Sequence, residues 1–323
     1  MRGWIVLVKA LGGAAALAQA FSQTALAVDG VIEINQVRAL AGGVTPGDTA
    51  GFPVVLSERG SYRLTGGLMI PNASTDGIQV TADNVTIDLN GFSITGSVVC
   101  TGVNDGAPTN SCNPTGIGAG VRIGAGITPT RNVTIRNGTI RGAGGSGIQS
   151  QLAFYTHIEG VQAIGNGGSG IMVGNFGRVI DSQASRNFRN GIAAVEQSII
   201  RGNVVTRNGN RGIDGGTLSL VENNVITGNK GAGIFVVSNV GGTAVRGNTV
   251  GWNQDAGIRC EVGCSVVGNT VRGNTGIGLM LRPQGISNDT SGYAGNVIHS
   301  SSQAVLGGIQ IGPNACNGNT TCP

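Results

Sequence analysis

The chain has 323 residues, a formal net charge of +4 and 59 glycines, with only 4% aromatic and 11% charged residues. Disordered chains combine low hydrophobicity with high charge, and a hydrophobic fraction of 40% excludes that class. The absence of a Gly-X-Y period excludes collagen, and so small a positive excess excludes the basic footprint of a nucleic-acid-binding protein.

The first 27 residues read as a signal peptide. Arg2 and Lys9 give a positive start, residues 11–21 form a short apolar run, and Ala25-Leu26-Ala27 supplies the small-x-small cleavage pattern. The competing reading, an uncleaved anchor, is opposed by Lys9, which interrupts the apolar stretch. Export to the periplasm or beyond is therefore expected, with no membrane span after cleavage. Residues 28–60 read as an N-terminal cap with strands at 31–34 and 54–56, and residues 61–310 as the repetitive body. Segments 96–118 and 283–295 match no repeat and read as loop insertions, and 311–323 reads as a stapled tail.

The cysteine count is even: Cys100, Cys112, Cys260, Cys264, Cys316 and Cys322. In an oxidising compartment these are expected to form disulfides, and proximity favours Cys100–Cys112, Cys260–Cys264 and Cys316–Cys322. No cysteine stands beside a histidine and no CxxC occurs, so a metal site is disfavoured and no cofactor is implied.

The body repeats. Gly147-Ile148, Gly170-Ile171, Gly191-Ile192, Gly212-Ile213, Gly233-Ile234, Gly257-Ile258 and Gly278-Leu279 recur at spacings of 23, 21, 21, 21, 24 and 21 residues. An asparagine column runs through Asn166, Asn187, Asn208, Asn229, Asn253 and Asn274. A second runs through Asn203, Asn224, Asn248 and Asn269, preceded by Val161 and Ser182. An aliphatic column holds Ile158, Val179, Ile200, Val221, Val245 and Val266. Within each unit the apolar period is 2, so the units are short strands separated by Gly/Asn turns. No unit can bury its apolar face alone. Stacking them at ~4.8 Å per coil buries a continuous aliphatic core with little room for aromatics. Asparagine is expected at the corners because it tolerates a left-handed backbone and because stacked amides hydrogen-bond along the stack.

The fold class is thus an all-β, single-stranded right-handed parallel β-helix with ~21–24-residue coils and an N-terminal cap. The pattern N-x-V-x-x-N-x-x-x-G-I over 203–213, repeated over 224–234 with Ile226 in the valine place, resembles the repeat of the pectin-lyase-like superfamily. The segment from Asn84 to Ile94, NVTIDLNGFSI, is similar to secreted bacterial members. The resemblance covers about residues 52–310. It implies a fold that hosts lyases, hydrolases, epimerases, adhesins and inert scaffolds. The catalytic signatures of its best-known members have no counterpart here: the sequence has no Asp-Asp pair, no Gly-His-Gly and no Asp-Pro-His-Asp.

Three outward columns follow from the coil register. The first, Glu159, Ile180, Arg201, Glu222, Arg246 and Val267, reads as a surface charge ladder. The second, Gly165, Arg186, Arg207, Gly228, Trp252 and Gly273, joins Arg189 and Arg211 in a four-arginine cluster suited to carboxylates or sulfates. Trp252 would stack on a sugar ring, and local neutralisation of the cluster by Asp181, Glu196 or Asp214 is the competing reading. The third holds Gln149, Met172, Ala193, Asp214, Phe235, Arg259, Met280 and Gln310. Asp214 is the candidate acid–base group, expected to act as a base because flanking arginines pull its pKa down. His157 is the other candidate proton carrier.

Two functions remain open at this point. One is an exported protein that binds an acidic polysaccharide, with lyase- or epimerase-like processing of it left open. The other is a non-catalytic structural or surface-interaction scaffold. A tailspike is disfavoured by the signal peptide and by the lack of a trimerising segment.

Overall fold

Three short strands make each coil, and the sequence dictates where each one stops. In the coil that starts at Arg178 they are Arg178–Ile180, Gln183–Ser185 and Ile192–Ala194. The residue at the centre of each of the first two strands, and the first residue of the third, points inward: Val179, Ala184 and Ile192 are fully buried. A computed structural model describes residues 30–102, 111–124, 129–237, 240–281, 291–299, 302–320 and 322. The proposed signal peptide lies outside these residues.

The coils stack in parallel register as a right-handed solenoid. The third strands of successive coils form an 11-stranded sheet, and the first and second strands form a 21-stranded sheet that turns a corner. Equivalent residues pair coil to coil, as in Ile192↔Ile213 and Ile213↔Ile234. The interior columns of Ile, Val and Leu form one continuous core from Ile34 to Cys316. Each fully buried side chain of this kind contributes roughly 1.5–3 kcal/mol.

The corners carry the polar part of the core. Asn166, Asn187, Asn208, Asn229, Asn253 and Asn274 are fully buried, and each Nδ2 donates to the next Oδ1 at 2.9 Å. The second column joins Asn203, Asn224, Asn248 and Asn269 in the same way and continues through Asn296 to Asn314. At the third corner, hydroxyls accept instead: the N–H of Ser198 donates to Ser219 Oγ, and that of Ser219 to Thr243 Oγ1. Buried amides fully paired in this way avoid the cost of unsatisfied polar groups.

The left-handed backbone expected of these asparagines belongs to the residue before them. The positive φ values fall on Arg186, Arg207, Gly228, Trp252 and Gly273 in one column, and on Asp181, Gly202, Asn223 and Gly247 in another. The corner therefore divides its labour. One residue turns the chain, and the next aims its amide along the stack.

The first outward column extends further than its repeat pattern reveals. Coil register places Glu33, Arg63, Asp88, Arg136, Glu159, Ile180, Arg201, Glu222 and Arg246 in one line. The charges alternate throughout, with Ile180 the one interruption. Asp88 holds Arg136 at 3.1 Å, and Glu222 holds Arg246 at 2.9 Å and Arg201 at 3.9 Å.

The ends are irregular. Strand Val31–Ile34 pairs with Gly60–Leu64, and a short helix, Gln36–Ala41, follows with its N-terminus capped by the Asn35 side chain. Strands Val99–Thr101 and Ser111–Asn113 form an antiparallel hairpin within the first expected insertion. Most of the second insertion lies outside the described residues, but Gly292–Ala294 within that span pairs as a regular rung with Ser265–Val267. The tail lays down the last rung, with Ala315 and Cys316 beside Val297 and Ile298. All three disulfides join the cysteines nearest in sequence: Cys100–Cys112, Cys260–Cys264 and Cys316–Cys322.

Candidate functional site

Strand alternation sends the residue after each buried Ile of the 11-stranded sheet outward. Register stacks Gln79, Arg122, Gln149, Met172, Ala193, Asp214, Phe235, Arg259, Met280 and Leu306 along this face. Leu306 takes the place expected for Gln310. The long step from Leu279 to Val305 shifts the column, and Gly308-Ile309, which imitates the repeat signature, belongs to the other sheet, where Gln310 pairs with Tyr293.

Two hollows lie along this face and meet at Gln151 and Met172. The larger, about 490 Å³, is walled by Gly145 and Ser146 and by the loops after the buried asparagines, including Gly168, Ser169, Arg189, Asn190 and Asn210. Its wall is partly bare backbone: a Cβ on Gly145 would stand 2.7 Å from the carbonyl oxygen of Ile117. The smaller, about 260 Å³, is lined by Ala193, Ala194, Val195, Asp214 and Val237. The groove is therefore more polar in its larger hollow and more apolar in its smaller one.

Its charges are organised in pairs. Arg122 is held by Asp76 at 2.6 Å, Arg211 by Asp214 at 2.8 Å, and Arg259 by Glu261 at 3.1 Å. Phe235 sits between two of these arginines, with the Arg211 guanidinium carbon 3.5 Å and that of Arg259 5.0 Å from its ring centre. Stacking on an aromatic face fixes a guanidinium and leaves its edge for hydrogen bonding. Arg189 is exposed and has no acidic partner among the described residues. Asn190 donates its Nδ2 to Asp214 Oδ2 at 3.1 Å, and its buried Oδ1 has no partner among the described residues.

The structure divides the expected four-arginine cluster. Arg189 and Arg211 belong to the groove, whereas Arg186 and Arg207 sit on the corner column with Trp252. Within the groove, Asp214 neutralises Arg211. The expectation for the Asp214 carboxyl is also corrected. Burial pushes its pKa up, and this outweighs the lowering by Arg211 and by hydrogen bonds from Arg211 and Asn190; the more distant Glu261 adds to the rise. The sequence reveals the neighbouring arginine but not the burial.

His157 lies elsewhere. It is on the 21-stranded sheet, with Nε2 3.9 Å from Glu159 and no hydrogen bond to that nitrogen among the described residues. Burial lowers its pKa against the opposing pull of Glu159, with Arg178 lowering it further. The two candidate proton carriers thus occupy different sheets. Phe235 and Arg259 were present in the third column as neighbours, but the reach of Arg211 forward onto Phe235 of the next coil left no mark in the register. Among the described residues no group of three or more His, Cys, Asp or Glu could hold a metal ion, and no helix is long and apolar enough to cross a membrane.

The family model described as right handed beta helix region matches residues 67–250, more than half of the chain. The chain belongs to that family. No curated protein matches it in sequence. Similar solved structures include pectate lyase Pel9A, with a TM-score of 0.62 and 15% identity over 90% of this chain and 81% of that one. The Azotobacter vinelandii mannuronan C-5 epimerase AlgE4 A-module gives 0.56 and 16% over 88% and 83%. The Dettilon tailspike protein gp208 gives 0.57 and 18% over 78% of this chain, which spans 55% of the tailspike chain's length. At these identities the likeness is one of fold.

Proposed function

We propose that this β-helix is an exported protein that binds an extended polysaccharide along the outward face of its 11-stranded sheet, with uronate or sulfate groups taken by Arg189. The observation that carries this reading is the groove itself. It runs across successive coils, joins a more polar hollow to a more apolar one, and presents one arginine without an acidic partner among the described residues near the Arg211–Phe235–Arg259 contacts. A sugar chain offers the matching features: hydroxyls and carboxylates on its edges and apolar C–H faces. Solved structures of the same fold include a pectate lyase and a mannuronan epimerase, which supports a glycan of this class. The signal-like sequence pattern of residues 1–27 and the three disulfides support export.

Processing of the bound glycan would fall to Asp214, the acid–base candidate in the groove. Its raised pKa suits proton exchange nearer neutrality than an ordinary carboxylate allows. The scaffold reading draws on a different observation: three of the groove arginines are already paired with acids.

Retention on immobilised polygalacturonate, alginate, a sulfated polysaccharide and a neutral glucan separates the readings. Binding to the anionic members that weakens in Arg189→Ala supports the proposal, and retention on none of the four overturns it in favour of a scaffold. Formation of unsaturated or epimerised product that disappears in Asp214→Asn would make the protein an enzyme.

A further inference from the structure

One corner column stands apart from the groove. Its members Gly165, Arg186, Arg207, Gly228, Trp252 and Gly273 all hold a left-handed backbone, with φ between 52° and 67°. Glycine takes this conformation freely, whereas Arg and Trp take it only against steric resistance. Three of the six places are glycine, so the solenoid does not need a large side chain there. Backbone strain kept at a dispensable position points to a use for the side chain.

The glycines seat their large neighbours. A Cβ on Gly273 would come 3.1 Å from Nε1 and 3.2 Å from Cδ1 of Trp252, so the indole lies against the bare backbone of the next coil. A Cβ on Gly228 would meet Arg207 Cγ at 3.4 Å, so the stem of Arg207 lies over that glycine in the same way. Trp252 is 64% exposed, and its Nε1–H donates to nothing among the described residues. Arg207 is exposed and has no acidic partner among the described residues. The two positions are two rungs apart, about 9.6 Å.

We infer that Arg207 and Trp252 form a second carbohydrate-contact site on this corner, outside the groove. The exposed indole presents an apolar face to the C–H side of a pyranose and a free N–H to its hydroxyls. Arg207 presents a planar fork to a carboxylate or sulfate on the same ring or the next. This inference shares the glycan class of the proposed function but rests on different residues.

Of the two tryptophans, Trp4 falls in the proposed leader, so in the processed protein, or in a Trp4→Phe background where the leader is kept, the emission reports on this corner alone. That protein would be titrated with oligosaccharides of polygalacturonate, of a sulfated glycan and of a neutral glucan. A saturable emission change is expected with an anionic oligosaccharide, weakened about tenfold in Arg207→Ala and still present in Arg189→Ala. Uronate and sulfate arms identify which anion Arg207 prefers.

Trp252→Gly gives the column its favoured residue. It is expected to keep or raise the melting temperature while losing about tenfold in affinity for the corner, read by calorimetry. Emission unmoved while the protein is retained on the glycan overturns the corner site and leaves the groove standing. Unchanged affinity in Trp252→Gly, or emission changes abolished by Arg189→Ala, also overturns it. Absence of glycan binding in every assay overturns the corner site and the groove together.

Discussion

The guanidinium of Arg211 lies 3.5 Å from the centre of the Phe235 ring on the next coil while its Nη1 holds Asp214 at 2.8 Å. One arginine thus links a carboxylate to an aromatic ring across a coil boundary. Phe235 is buried although it faces outward, and the Arg259 guanidinium lies 5.0 Å from the centre of the same ring. Phe235→Leu keeps most of the apolar volume and removes the ring. It is expected to cost about 1–2 kcal/mol in chemical denaturation, with the lost stacking adding to the repacking term.

Asn208 sits inside its ladder with a neighbour on each side. Its Oδ1 accepts from both the backbone N–H and the Nδ2 of Asn187, and its Nδ2 donates to Asn229 Oδ1 and to the carbonyl of Ala184. Asn208→Ala strands these groups where water does not reach. The expected loss is about 3 kcal/mol or more, because a buried unpaired donor or acceptor costs its full desolvation. A loss no larger than that of an exposed Asn→Ala change, such as at Asn210, would contradict the role given to the ladder.

Glu222 is the shared partner of Arg201 and Arg246 and is far more buried than either. Glu222→Gln leaves two arginines facing each other across the rung between them. A destabilisation of about 1–2 kcal/mol is expected at low salt, shrinking as ionic strength approaches about 1 M. Unfolding free energies of the native protein and the variant, measured across a salt series, test this directly.

Burial lowers the His157 pKa below its ordinary 6.5, so the fold favours the neutral ring. The unfolded chain then binds more protons as the pH falls below that value, and stability contributed at higher pH is lost. Melting temperatures are expected to decline from about pH 6.5 downward in the native protein, and less steeply in His157→Gln. Asp214 has the opposite sign. Its raised pKa means that stability is lost as pH rises from the ordinary carboxylate value of 3.8 toward the folded value.

The coil period and the buried asparagines were legible because coils of nearly equal length print their contacts at a constant spacing. The charge ladder was legible only across Arg201, Glu222 and Arg246. Its earlier rungs pair over irregular distances, as when Asp88 meets Arg136 across the inserted hairpin. The site was harder to read for a different reason. The split between Arg189 in the groove and Arg207 on the corner depends on one left-handed residue before each buried asparagine. The behaviour of Asp214 depends on burial by neighbouring coils rather than on the adjacent charge.

Every asparagine ladder bonds equivalent positions, so the molecule is indifferent to how many coils lie between its ends. Excising residues 188–208 would join Asn187 to Gly209, the junction Asn208 makes now, and set Asn187 beside Asn229. Extra residues can be stored in loops, as in the 24-residue step from Gly233 to Gly257, without touching the ladder that joins Asn229 to Asn253. Length is therefore a heritable setting with a fixed increment, about 4.8 Å of surface per coil gained or lost. A lineage could retune how many rungs the groove spans by duplicating or dropping coils, with the remaining contacts left as they were.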